Sequence, residues 1–231
     1  MLFRSIVQGP GHCGACHTPK TLLGGDEHSR ELQGYSLQGW FAPDLTDDAA
    51  HGLAAWTTTD LAEYLKTGHN RFEAASGPMA EEVQHSSSGM TADDIAAIAT
   101  YLKSEDSAPR SGTPVAADDP AMAAGAAIYR DTCAGCHQID GSGVAYLIPN
   151  LAGSAAVASR DPTTVLRVIL HGASSVATRE EPTAPQMPSF GGLLSDVQVA
   201  AVATYVPTRT SGFASSLKRH SIPGKVTTRI I

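Results

Sequence analysis

The pentapeptide Cys13-Gly14-Ala15-Cys16-His17 returns later in the chain as Cys133-Ala134-Gly135-Cys136-His137, and no cysteine lies outside these two runs. Two thiols separated by two residues and followed at once by histidine form an attachment site for c-type haem. Each thiol can join one vinyl group of the porphyrin as a thioether, and the histidine reaches the iron through a ring nitrogen. Two such sites constrain the fold strongly. Each porphyrin brings its own apolar surface, around which a small unit with few aromatic residues can condense.

Three other uses of paired cysteines fit less well. A four-cysteine zinc site gathers its pairs within a short span, whereas these stand far apart and each carries a histidine in the same place. A thioredoxin-like pair expects a βαβ pattern nearby, which is missing. Neighbouring cysteines in a turn are badly placed to staple a domain by disulfides.

A chain of 231 residues allows one to two domains, and the two motifs divide it into units of about 100 residues, an ordinary domain size. The net charge is −7, unevenly spread. Five basic residues (Arg209, Lys218, Arg219, Lys225, Arg229) and no acid fall in 206–231, so the remainder is strongly acidic. An acidic body argues against nucleic acid and for a soluble electron-transfer surface. No apolar run approaches the ~18 residues needed to span a bilayer. Met1 to Val7 contains Arg4 and is too short for a signal peptide. Since haem is attached outside the bacterial cytoplasm, the chain reads as a mature fragment.

In the first unit, Gly9, Pro10 and Gly11 make the entry turn-rich, with His12 a solvated turn residue. Residues 18–59 read as irregular chain wrapped on a porphyrin edge. Trp40 and Trp56 serve there equally well as haem contacts or as core. A helix follows from Asp60 to Thr67, with Thr58 or Thr59 as cap and Gly68 as stop. Gly77-Pro78-Met79 reads as too broken for helix. Thr91 caps a strong helix through Lys103, with Asp94 at N3, Met90 as staple, and Ile95, Ile98, Ala99 and Leu102 on one face. Residues 105–119 form the linker. In the second unit Asp119-Pro120 opens a helix that runs past Gly125 and Tyr129 to Cys133. A helix follows Asp161-Pro162 as far as Gly172, and a last one, capped by Ser195 and Gln198, runs to Val206, where Pro207 breaks it. Residues 207–231 form an atypical basic tail.

Laid over one another, the units share five landmarks in one order: the pentapeptide, Pro43-Asp44-Leu45 or Pro149-Asn150-Leu151, a helix closed by Gly68 or Gly172, a loop holding Met79 or Met187, and a final helix. Such an order points to duplication. A haem held by histidine on one face needs a sixth ligand, and thioether sulfur raises its potential relative to a second nitrogen. Only Met79 and Met187 occupy equivalent places. Their rivals His69, His85 and His171 have no counterparts, since His171 aligns with Thr67. The Pro43 and Pro149 carbonyls can accept the Nδ1–H of His17 and His137 and so orient each ring. Gly125 facing Tyr205 reads as a close crossing of first and last helices.

These residues resemble the multi-haem cytochrome c subunit of bacterial membrane-bound dehydrogenases that oxidise alcohols, aldehydes, sugars or sugar acids. The resemblance covers about residues 6–205. It is carried by Gly9 to Pro19, Gly39-Trp40-Phe41-Ala42-Pro43, Leu65-Lys66-Thr67-Gly68 and Gly77-Pro78-Met79-Ala80-Glu81, and in the second unit by Cys133 to His137, Gly141-Ser142-Gly143 and Met187 to Gly191. It implies an all-α architecture of two tandem class I cytochrome c domains, 1–104 and 120–206, each wrapped around one covalently attached haem c. These look like the second and third haem domains of that family. Cys13, Cys16, Cys133 and Cys136 would anchor the haems, with His17, Met79, His137 and Met187 as iron ligands and Trp40, Pro43 and Pro149 beside them. The resemblance also implies a non-catalytic electron carrier in the periplasm, associated peripherally with the inner membrane. Electrons would come from a quinoprotein or flavoprotein dehydrogenase subunit and pass toward quinone or an oxidase. A dihaem enzyme, such as a peroxidase or thiosulfate-oxidising cytochrome, and an apo zinc-binding or scaffold module are the competing expectations.

Overall fold

The computed structural model describes residues 2–48, 52–105 and 115–210. Most of the linker and most of the basic tail therefore lie outside the described residues. In chain order the first unit holds α1 (Leu2–Gln8), the one-turn α2 (Gly14–His17), β1 (Gln33–Leu37), β2 (Trp40–Asp44), α3 (Thr58–Thr67), α4 (Pro78–His85) and α5 (Ala92–Ser104). The second holds α6 (Pro120–Ile128), α7 (Ala134–His137), α8 (Ala155–Ala158), α9 (Thr163–His171), the short strands β3 (Ala173–Ser174) and β4 (Gln186–Met187), and α10 (Asp196–Thr210). The described chain is mostly helical, with two small antiparallel ribbons.

Capping chemistry sets several helix starts. Thr57, one residue before the expected cap, begins α3 because a reciprocal box needs its acid three residues on. The Thr57 hydroxyl accepts the Asp60 N–H at 3.1 Å, and the Asp60 carboxylate accepts the Thr57 N–H at 2.7 Å. Asp60 also takes two hydrogen bonds from the Arg71 guanidinium. Burial alone would raise its carboxyl, but these bonds and those from Thr57 hold it below the usual range. Thr91 accepts the Asp94 N–H at 3.2 Å to open α5, and the Asp119 carboxylate accepts the Ala121 N–H at 2.8 Å to open α6. The face of α5 bearing Ile95, Ile98, Ala99 and Leu102 is buried.

Three expectations are corrected. Gly77-Pro78-Met79 does not interrupt helix; it starts α4. Proline at the first helical position has no N–H to leave unpaired and a φ already suited to the turn, while Gly77 takes φ 57°. Residues 33–44 are not irregular but form a hairpin pairing Leu37 with Trp40 and Tyr35 with Ala42. Its Gln38-Gly39 tip has φ 50° and 75°, the positive pair of a primed two-residue turn. Finally, α10 passes through Pro207 to Thr210. Proline removes one backbone bond, but Val202, Ala203 and Val206 stay buried on the second core and the Thr208 hydroxyl donates to the Thr204 carbonyl at 2.9 Å.

The first core gathers Val7, Leu53, Trp56, Leu61, Ile98 and Leu102; the second gathers Tyr129, Val157, Ile169, Val199, Val202 and Val206. They meet along a seam. Ala155 of the second unit is buried in the first core. The Trp56 indole N–H donates to the Gly153 carbonyl at 2.8 Å, the Asn150 N–H to the Phe72 carbonyl at 2.9 Å, and Ser76 bridges to Ser175.

α6 crosses α10 at Gly125, where a Cβ would stand 2.3 Å from the Ala201 carbonyl oxygen and 2.5 Å from the Tyr205 Cβ. Backbone cannot yield as a flexible side chain can. Gly125→Ala is expected to destabilise the second unit by about 1–3 kcal/mol, read as a fall in the urea midpoint; an unchanged midpoint would contradict the close crossing.

Candidate haem sites

Each pentapeptide forms one helical turn. In the first, the His17 N–H donates to the Cys13 carbonyl at 2.9 Å. In the second, the turn is entered through a π-helical stretch, Tyr129–Cys133, a local widening often found at functional sites. Burial, helped by the Glu82 carboxylate, pushes the Cys13 thiol up to about 11, and burial likewise raises Cys133. At Cys13 and Cys133 burial thus disfavours the thiolate.

Both histidines are oriented from behind. The His17 Nδ1 lies 2.7 Å from the Pro43 carbonyl oxygen and the His137 Nδ1 3.2 Å from that of Pro149. A carbonyl can only accept, so Nδ1 carries the proton in each ring and Nε2 keeps a free lone pair. Burial pushes both histidines below their ordinary value, partly offset by these same bonds. The imidazoles are thus held neutral, the state in which they ligate metal.

In the second unit the expected groups converge. Cys133, Cys136, His137, Pro149 and Met187 line one cavity of about 480 Å³, with Tyr129, Val157, Ile169 and Val202 among its apolar walls. Met187 reaches it from β4, whose partner β3 sets Ala173 opposite Met187. A largely apolar cavity within the ~300–1,000 Å³ of ligand sites, with two thiols and an imidazole on its lining and a thioether among them, fits a covalently attached porphyrin.

In the first unit Cys13 and Met79 both pack against the first core. Met79 sits in the opening turn of α4, not in a loop. Trp40 packs on the start of that helix, since a Cβ on Gly77 would stand 2.5 Å from its indole ring. The Arg167 guanidinium of the second unit covers the same ring at 4.9 Å. Trp56 is resolved differently: 3% exposed, stacked on Phe72 and hydrogen-bonded to Gly153, it belongs to the core. His12 is an exposed turn residue with φ 29°. Of the rival ligands, His69 is buried and spends Nε2 on the Val176 carbonyl at 2.7 Å.

Sequence reasoning missed the far wall of the second cavity. Glu73, Ala74 and Ser76 of the first unit line it. No periodicity marks them, and only the landmark order, which places them just before Met79, hinted at a site nearby.

The chain spans about half the length of the curated relatives it matches. It is 38% identical over 221 residues to the gluconate 2-dehydrogenase cytochrome c subunit of Pantoea cypripedii, covering 88% of this chain and 50% of that protein. It is 36% identical over 222 residues to the cytochrome c subunit of the quinone alcohol dehydrogenase of Gluconacetobacter polyoxogenes, covering 88% and 47%. Against the fructose dehydrogenase cytochrome subunit of Gluconobacter japonicus it is 34% identical over 231 residues, again covering 88% and 47%. The family description Cytochrome c matches residues 7–106 and, a second time, 122–210. With paired attachment motifs, carbonyl-oriented histidines and a porphyrin-sized apolar cavity, this chain belongs to the cytochrome c family, whose haem is bound covalently.

Proposed function

We propose that the chain carries two covalently bound haem c groups in two class I domains, 1–104 and 120–206, joined by a linker at 105–119. It passes single electrons from a periplasmic dehydrogenase toward quinone or a terminal oxidase. The observation that carries this reading is the convergence of Cys133, Cys136, His137 and Met187 on one apolar cavity, with a second set of the same residue types in the duplicated unit. The relatives' names favour a partner that oxidises an alcohol, a sugar or a sugar acid. No described helix is long and apolar enough to cross a membrane, and membrane attachment in this reading is peripheral.

When bound, the haems supply reversible one-electron exchange. The chain's own part is to hold, orient and shield them. Cys13, Cys16, Cys133 and Cys136 fix each ring covalently. Pro43 and Pro149 keep His17 and His137 in the tautomer that presents Nε2. Met79 and Met187 would each offer a thioether sulfur to the iron, which would favour the reduced state relative to a second nitrogen.

The test is an absorption spectrum of the oxidised protein with Met79→His and Met187→His. Each exchange is expected to remove its own haem's share of the sulfur-to-iron charge-transfer band and to lower one midpoint potential. A band unmoved by either exchange would sink the ligand assignment. Rapid peroxide-dependent oxidation of a reduced partner would instead favour a dihaem enzyme.

A further inference from the structure

The second cavity is closed by a carboxylate from the other unit. Glu73 lines it, half-buried. Its Oε1 is held by the Ser154 hydroxyl and by the Ala156 N–H at 3.1 Å. The Ser154 hydroxyl in turn accepts the Val157 N–H at 3.1 Å, so the carboxylate is fixed rather than free to swing into water. We propose that Glu73 sets the electron affinity of the second haem from across the unit boundary and takes up a proton when that haem is reduced. This rests on the two-haem reading above.

The physical reason is charge neutrality in a poorly solvated space. One electron, delivered from a reduced quinoprotein or flavoprotein, removes one positive charge from the iron. In a share of the molecules Glu73 then binds a proton taken from water, which partly offsets the change in the cavity's charge; on oxidation both leave. The carboxylate disfavours the arriving electron, and the electron raises the carboxylate's proton affinity, by the same coupling. Burial already pushes Glu73 up, against the Ser154 and Ala156 hydrogen bonds, which brings its titration toward working pH.

Among the described side chains around the cavity, the other ionisable groups leave this role to Glu73. Tyr64 on α3 is driven well up by burial and by the Glu73 and Glu82 carboxylates and stays neutral. Arg71, two residues away, is engaged by Asp60. Tyr129 is raised to about 12 by burial, and His137 is held neutral by burial. α8 contributes no titratable side chain.

The experiment is a potentiometric titration of the full holo-chain across acid and neutral pH. The second haem is assigned as the wave lost in Cys133→Ala with Cys136→Ala. Its electron affinity is expected to fall by about threefold per pH unit at the steepest point of one window and to level off on either side, a total span of about tenfold for a unit charge on the same cavity. Glu73→Gln keeps an oxygen acceptor for Ser154 and Ala156 but not the charge. It is expected to hold the second haem at the acid plateau throughout, leaving the first haem unchanged. Ser154→Ala, which removes a bond favouring the carboxylate, should move the window to higher pH. A Glu73→Gln profile that keeps the wild-type step overturns the proposal while leaving two haems in place. One haem per wild-type chain would instead overturn the reading beneath it.

Discussion

Replacing Cys133 and Cys136 together with alanine is expected to leave one haem per chain and to unfold the second unit. The cavity of about 480 Å³ stands inside the second core. At roughly 24 cal/mol for each Å³ of void, an empty cavity of this size costs about 12 kcal/mol. That is an upper value, since the cavity opens to water on one side, yet it is comparable with the ~5–15 kcal/mol that holds an average domain together. The Tyr129–Cys133 stretch and helices α7, α9 and α10 would lose the surface they pack around. The haem-to-protein ratio and the far-ultraviolet circular dichroism measure this directly. Two haems retained per chain, or an unchanged helical signal and melting temperature, would show that the unit folds without its porphyrin.

The second large effect falls on the seam. Trp56 is 3% exposed, stacks on Phe72 at 5.6 Å and meets Tyr64 edge-on at 5.3 Å, and donates its N–H to Gly153 of the second unit. Trp56→Ala is expected to cost about 3–5 kcal/mol and to split a single calorimetric transition into two, because this ring of the first core is tied to Gly153 of the second unit. Trp56→Phe keeps most of the apolar area and strands only the Gly153 carbonyl, for about 1–3 kcal/mol. A cost confined to the first transition in both variants would mean that the units melt independently.

What could be read from sequence was local. The attachment motifs, the Thr91, Asp119 and Ser195 caps and the narrow crossing at Gly125 each depend on residues within a few positions or on an unusual residue type. Gly77-Pro78 misled because the same dipeptide can end one helix or begin another; here it begins one, with Gly77 against Trp40, a contact distant in sequence. The Gln38-Gly39 turn was hidden because its strands are short and only partly buried, which leaves little alternation to detect. Trp56 could not be assigned because a tryptophan suits a porphyrin edge and a protein core equally well until Gly153 is seen to take its N–H. The Glu73 wall lies beyond any such pattern, since it belongs to one repeat and serves the other.

That last arrangement makes the two halves unequal. Residues 73–76 belong to the leading half, yet Glu73, Ala74 and Ser76 wall the cavity of the trailing half. The trailing half is thus closed by a surface its own residues do not supply. Released as a separate polypeptide, it would face water with its greasy interior where Glu73, Ala74 and Ser76 should stand, whereas the leading half would lose Ala155 from its core, Val176 from beside Ala75 and Val83, and the Gly153 carbonyl from Trp56.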